Sequence, residues 1–171
     1  MIEEYFKLLE TLNEEQKSAL SGYSDAEILK LESLYKVSIT GELQAFLKKI
    51  GRCDGGLVGD NPFLFYREIM NVRSHILLQV YLINELQEMG AYDQIKNPFI
   101  VAVEYETQFM YLQTKRGDGI VYCFDENNQI VESTGLTFSK YCLKVYDHYI
   151  RHGSNPNRRF GVICKGEMLV I

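Results

Sequence analysis

The sequence predicts an α+β domain in which several helices pack on one antiparallel β-meander sheet. Three observations carry that reading. Through the first fifty residues apolar side chains recur three and four apart, the spacing of one helix face. From residue 99 the period switches to two, in β-branched and aromatic runs separated by turn formers. After Thr137 a helical stripe returns, and helices followed by strands and a helix argue against the alternating order of a parallel α/β sheet. With 171 residues, 46% of them hydrophobic and 24% charged, the chain has material for a single domain with a proper core.

Ile2, Tyr5, Phe6, Leu9 and Leu12 predict an amphipathic first helix. Ser24 and Glu27 form a capping box that starts a second, with Ile28, Leu31 and Tyr35 as its stripe. Thr40 caps a third, striped by Leu43, Phe46, Leu47 and Ile50 and ended by Gly51 as a left-handed cap. Residues 51–62 are dense in Gly, Asp, Asn and Pro and read as a loop. Phe63-Leu64-Phe65-Tyr66 predicts a short strand, and 74–89 a largely buried helix stopped by Gly90. The meander strands are expected at 99–104, 108–114, 120–125 and 130–133. Thr137 then caps a long helix striped by Phe138, Tyr141, Cys142, Val145, Tyr149 and Ile150, and residues 151–171 predict a tail with a closing hairpin.

Composition narrows the function. Eighteen Lys and Arg against 23 Asp and Glu leave a net charge of −5, which disfavours a phosphate-neutralising nucleic-acid binder and suits a basic protein partner. Cys53, Cys123, Cys142 and Cys164 form no C-x-x-C pair, so free thiols and a cytoplasmic setting are expected, with no metal and no cofactor. Met1-Ile2-Glu3-Glu4 lacks the basic n-region of a signal peptide, and the most apolar stretch, 76–83, is far below the roughly 20 residues that cross a bilayer. No membrane association is expected.

Several segments in order carry a family resemblance. Residues 27–35, with an internal Glu32, and 37–51, with the Phe46-Leu47 pair and a glycine-rich loop behind it, resemble the opening of the SUKH superfamily. Phe99-Ile100-Val101-Ala102-Val103 is similar to its first meander strand, Ile120 to Asp125 to the strand ending in an acidic turn, and Phe138-Ser139-Lys140-Tyr141 to the start of its closing helix. The likeness spans about 24–150, leaving 1–23 as an N-terminal helical extension. Glu104-Tyr105-Glu106-Thr107 stands where the family's Gly/Asp-rich turn is usual, and Thr40 where a proline is usual. The resemblance implies a non-enzymatic domain that binds a protein: an immunity protein occluding the active site of a cognate toxin, such as a nuclease, or a regulatory scaffold of the glucan-synthesis and cell-wall kind.

His148 and His152, four apart beside Asp147, have metal-ligand spacing but no third ligand at helical spacing, and the macrodipole accounts for His at a helix C-terminus. Cys142 sits in an apolar stripe, and nothing flanks His75, His148 or His152 in the manner of a Cys-His nucleophile. The glycines of 51–62 follow a helix and lack the G-K-[ST] ending of a phosphate loop. Glu104, Glu106, Asp118, Asp125, Glu126 and Glu132 fall at strand ends and turns beside Tyr105, Tyr111 and Tyr122, as a rim of the sheet. A hydrolase carboxylate pair needs a fixed separation and one raised pKa that sequence does not supply. The expected partner-binding set is therefore Glu104, Tyr105, Glu106, Tyr122 and Asp125, carboxylates for steering and rings for anchoring.

Overall fold

The computed structural model describes residues 1–58, 63–66 and 72–151, without the side chains of 149 and 150. The helices are α1 Ile2–Lys7, α2 Glu14–Ala19, α3 Asp25–Tyr35, α4 Gly41–Ile50, α5 Val72–Glu88 and α6 Phe138–Arg151. The strands are β1 Pro98–Glu104, β2 Gln108–Gln113, β3 Ile120–Asp125 and β4 Ile130–Thr137, in one antiparallel sheet of order β1-β2-β3-β4. The α+β class and the meander are as the sequence predicts. Tail residues 152–171, with their expected hairpin, His152 and Cys164, lie outside the described residues, as do 59–62 of the loop.

Two apolar layers sandwich the sheet. On one face, Phe99, Val101 and Ala102 of β1, Met110 and Leu112 of β2 and Val121 of β3 meet α1, α3, α4 and α6. Phe46 of α4 is the hub there, with ring centroids 6.2 Å from Tyr5, 5.8 Å from Phe63, 5.8 Å from Phe65 and 5.2 Å from Phe138. On the other face, Ile100, Val103, Phe109, Tyr111, Tyr122 and Phe124 pack under Leu82 and Leu86 of α5. Ile2, Tyr5, Phe6, Leu9 and Leu12 are all buried, but their segment tightens into a 3-10 turn at Leu8–Thr11 instead of continuing as one helix.

Local signals place α3 and α4. The Ser24/Glu27 capping box is formed, and Glu27 also pairs with Arg52. Glu32 accepts the Ile39 amide at 2.7 Å, fixing the connection to α4. Glu42 reaches across to α6, where its two oxygens accept the Ser139 amide at 2.9 Å and hydroxyl at 2.7 Å. That carboxylate caps α6 more closely than Thr137, whose hydroxyl stands 3.5 Å from the Lys140 amide. Gly51 differs from expectation: its φ of −62° is right-handed, and glycine is needed there because a Cβ would stand 2.8 Å from the Tyr23 ring. Gly22 is tighter still, with the Lys48 carbonyl oxygen 1.9 Å from where a Cβ would be.

The free edge of β1 is closed by side chains. Gln79 of α5 donates its amide to the Pro98 carbonyl and accepts the Ile100 amide at 2.6 Å, imitating a neighbouring strand. His75, one turn earlier, bonds the Ile100 carbonyl through Nε2 at 2.8 Å. Phe63 adds a backbone bridge to Ala102; the expected strand at 63–66 is that single bridge followed by a 3-10 turn. A bulge after Ile100 turns Val101 and Ala102 toward the same layer. The opposite edge is blunted instead of covered. In β4 a second irregularity, with Gly135 at φ +69°, has Ser133 and Thr134 hydroxyls accepting the Gly135 and Leu136 amides at 3.2 Å each.

Because α5 spends its inner face on this edge, it is not buried around its circumference: Leu77 is 70% and Val80 48% exposed. Replacing Gln79 by Leu keeps volume but strands a buried carbonyl and a buried amide, so urea titration should record a loss of about 2–4 kcal/mol.

Candidate functional site

A meander returns its first and third turns to the same end of the sheet, which gathers Glu104–Gln108 and Asp125–Ile130 into one surface. The turns are tied directly. The Glu126 amide donates to the Thr107 carbonyl at 3.0 Å, and the Asn127 side-chain amide to the Thr107 hydroxyl at 3.1 Å. Helices on both faces anchor this end through tyrosine and glutamate: Tyr141 of α6 donates to Glu104 at 2.7 Å, and Tyr81 of α5 to Glu126 at 2.7 Å. Burial and the facing carboxylate push both phenols up. Asp125 accepts the Asn128 backbone amide at 3.0 Å and the Gln108 side-chain amide at 3.1 Å, and the backbone bond holds its carboxyl below the usual range.

The five expected residues therefore divide. Tyr105, 75% exposed, and Glu106, also exposed, form the tip of the β1–β2 turn. Both stand in left-handed backbone conformations, with φ of 51° and 66°, a pairing that asparagine and glycine adopt at lower cost. Glu104 and Asp125 sit behind them, committed to the bonds just described. Tyr122 does not join the surface. It is 6% exposed, lies with its ring 5.8 Å from that of Tyr111, and donates to Asp118 at 2.9 Å at the other end of the sheet. Asp118 belongs to the β2–β3 turn, which a meander places opposite the other two. Glu132 lies within β4, paired with Cys123, and is not at the tip either.

Cys142 is wholly buried and Cys123 partly so. Burial pushes Cys123 up to about 11 and raises Cys142 well above the usual thiol range, so both thiols stay protonated at neutral pH. Cys123 and Cys142 are free thiols, and the Cys53 sulfur accepts the Gly55 amide at 3.4 Å. His148 is exposed on α6, and among the described residues no group of three His, Cys, Asp or Glu is arranged to hold a metal. No described helix is long and apolar enough to cross a membrane.

The complete burial of Asp54 and of His75 has no local signal in the sequence. Asp54 is wholly buried; its oxygens accept the Gly56 amide at 2.8 Å and the Val58 amide at 3.0 Å, shaping the start of the glycine-rich loop. Burial pushes its carboxyl up to about 6, against the opposing pull of those amides. His75, between the rings of Tyr35 and Phe99, is pushed down to about 4 by burial. Compared with protein-family models, with curated proteins and with solved structures, the chain matches none.

Two outcomes follow from these geometries. The native state holds the Asp54 proton more tightly than the unfolded chain does, so Asp54 costs stability progressively as pH rises from about 4 to about 6. His75 has the opposite slope, because its depressed native pKa costs stability as pH falls below about 6.5. The stability difference between the wild type and Asp54→Asn, which keeps His75, isolates the first: from pH 4 to pH 7 it should move against the wild type by roughly 2–3 kcal/mol. Secondly, replacing Tyr105-Glu106 by Asn-Gly should relieve the turn and raise stability by about 1 kcal/mol in denaturant titration.

Proposed function

We propose that this chain is a non-enzymatic, protein-binding domain of the SUKH type, acting in the cytoplasm as an immunity protein that covers the active site of a cognate toxin. The resemblance over residues 24–150 supports the family, and the order of α3, α4, the glycine-rich loop, the meander and α6 is the order in which those segments occur. One observation carries the binding surface. At Tyr105 and Glu106 the chain keeps two consecutive left-handed residues at an exposed tip, at a cost of roughly 1–2 kcal/mol each that an Asn-Gly turn would lower. What that cost secures is an exposed aromatic ring beside an exposed carboxylate, backed by Glu104, Asp125 and Glu126. A ring is a rigid anchor with little entropy to lose, and carboxylates steer a basic partner during approach. With a net charge of −5, the whole molecule adds to that field.

The test is binding to the product of the reading frame beside this gene, measured by surface plasmon resonance at two salt concentrations. Glu106→Lys should mainly slow association and flatten its salt dependence, while Tyr105→Ala should mainly speed dissociation, by about 1–3 kcal/mol. Tyr122→Ala belongs on the stability axis, since the ring is interior. A neighbouring product that does not bind overturns the immunity reading. A bound product indifferent to both substitutions, in folded protein, overturns the surface.

A further inference from the structure

At the opposite end of β1, α5 and the C-terminus of α3 leave an open groove of about 250 Å³ between them, bordered by the Ile95–Pro98 segment. Its walls are Leu34, Tyr35, Ile76, Val80, Ile83 and Ile95. Leu34 is 44% and Val80 48% exposed, so aliphatic surface faces solvent along it. Ile76, Val80 and Ile83 follow one another at i, i+4 and i+7, the ridge that a second helix packs against. The volume falls below the roughly 300–1,000 Å³ of small-molecule pockets and suits a few inserted side chains instead.

The groove's end carries lysines in a molecule whose net charge is −5. Lys36, in a left-handed C-cap, gives its carbonyl to the side chain of Asn97, and Lys96 gives its carbonyl to the Lys115 amide at 3.1 Å. Three exposed lysines thus share one knot of chain at the groove's end. Lys36 and Lys115 have no ion-pair partner among the described residues, and Lys96 faces only Asp93 at 3.7 Å, whose side chain is 97% exposed. Pairs of that kind are weak and screened, leaving the lysines available.

We infer that this groove is a second docking site, taking a helix of a partner protein with aliphatic residues on one face and carboxylates beside them. The aliphatic ridge calls for a helix, and the lysines set the sign of its charge. The chain's own residues 152–171 have the wrong sign, with Arg158, Arg159 and Lys165 against Glu167. The site is separate from the acidic end of the sheet and does not depend on it.

Selection of the full-length chain against a displayed library of random 16-residue peptides, followed by fluorescence anisotropy on the enriched sequences, tests it. Enriched peptides should carry aliphatic residues three and four apart with flanking Asp or Glu, and should lose affinity at high salt. Val80→Asp should weaken them by roughly tenfold or more, and Lys36→Glu with Lys115→Glu by about three- to tenfold. Leu77→Asp, on the same helix but outside the groove, should leave them unchanged. Circular dichroism of each variant checks the fold, and because Val80 is half exposed the helix should tolerate the change. The inference is overturned by no enrichment, by enriched peptides without acidic residues, or by binding that ignores Val80→Asp. Binding to phosphatidylserine vesicles in place of peptides, or Val80-dependent self-association with concentration, overturns it equally, in favour of a membrane or a second copy.

Discussion

The fold depends on how the free edge of β1 is satisfied. A strand buried on both faces cannot leave its outward amides and carbonyls open, since each unpaired buried group costs as much as a lost hydrogen bond. The side-chain amide of Gln79 meets that demand by accepting from Ile100 and donating to Pro98, with His75 on the Ile100 carbonyl and Phe63 on Ala102. Everything α5 does follows. Its polar inner residues fix its height along β1, Leu82 and Leu86 are delivered over the second face of the sheet, and an aliphatic ridge is left turned outward. The two sheet edges are thereby protected in different ways, one by a helix and one by a bulge whose amides are satisfied by neighbouring hydroxyls.

Glutamates do the complementary work on the first face. Glu32 accepts Ile39, Glu42 caps α6 and Glu104 receives Tyr141, so three carboxylates organise the connections between elements. This bears on how the acidic composition is read. Part of the negative charge is structural and already hydrogen-bonded, whereas Glu106 stands exposed beside Tyr105 at the tip of the β1–β2 turn. The opposite end of β1 carries the exposed Lys36, Lys96 and Lys115, and the two proposed docking surfaces rest on that contrast.

Much of this was legible in the sequence, for physical reasons. The Ser24/Glu27 box, the stripes of α3, α4 and α6 and the period-two runs of the meander are local patterns whose tertiary outcome matches their local preference. Helix α2 has no apolar period, because it buries no residue, so only its Asn13/Gln16 capping box marks it in the sequence. Gln79 lies inside the apolar stretch 76–83 with no local signal of its role, which depends on a strand about twenty residues later. Tyr122 lies off the expected surface because strand alternation, not turn position alone, decides which face a ring takes. Three residues back from Asp125, alternation turns its ring to the other side of the sheet, and its hydroxyl then finds Asp118. Asp54 and the left-handed pair at Tyr105 and Glu106 are backbone facts that the residue types do not announce.

Native-state hydrogen exchange at the Ile100 amide tests the central claim most directly. If the Gln79 carbonyl seals the edge of β1, that amide should exchange only with global unfolding, sharing the denaturant dependence of amides in the central strands β2 and β3. Exchange at the rate of an open edge, with little dependence on denaturant and protection like that of β4, would contradict it.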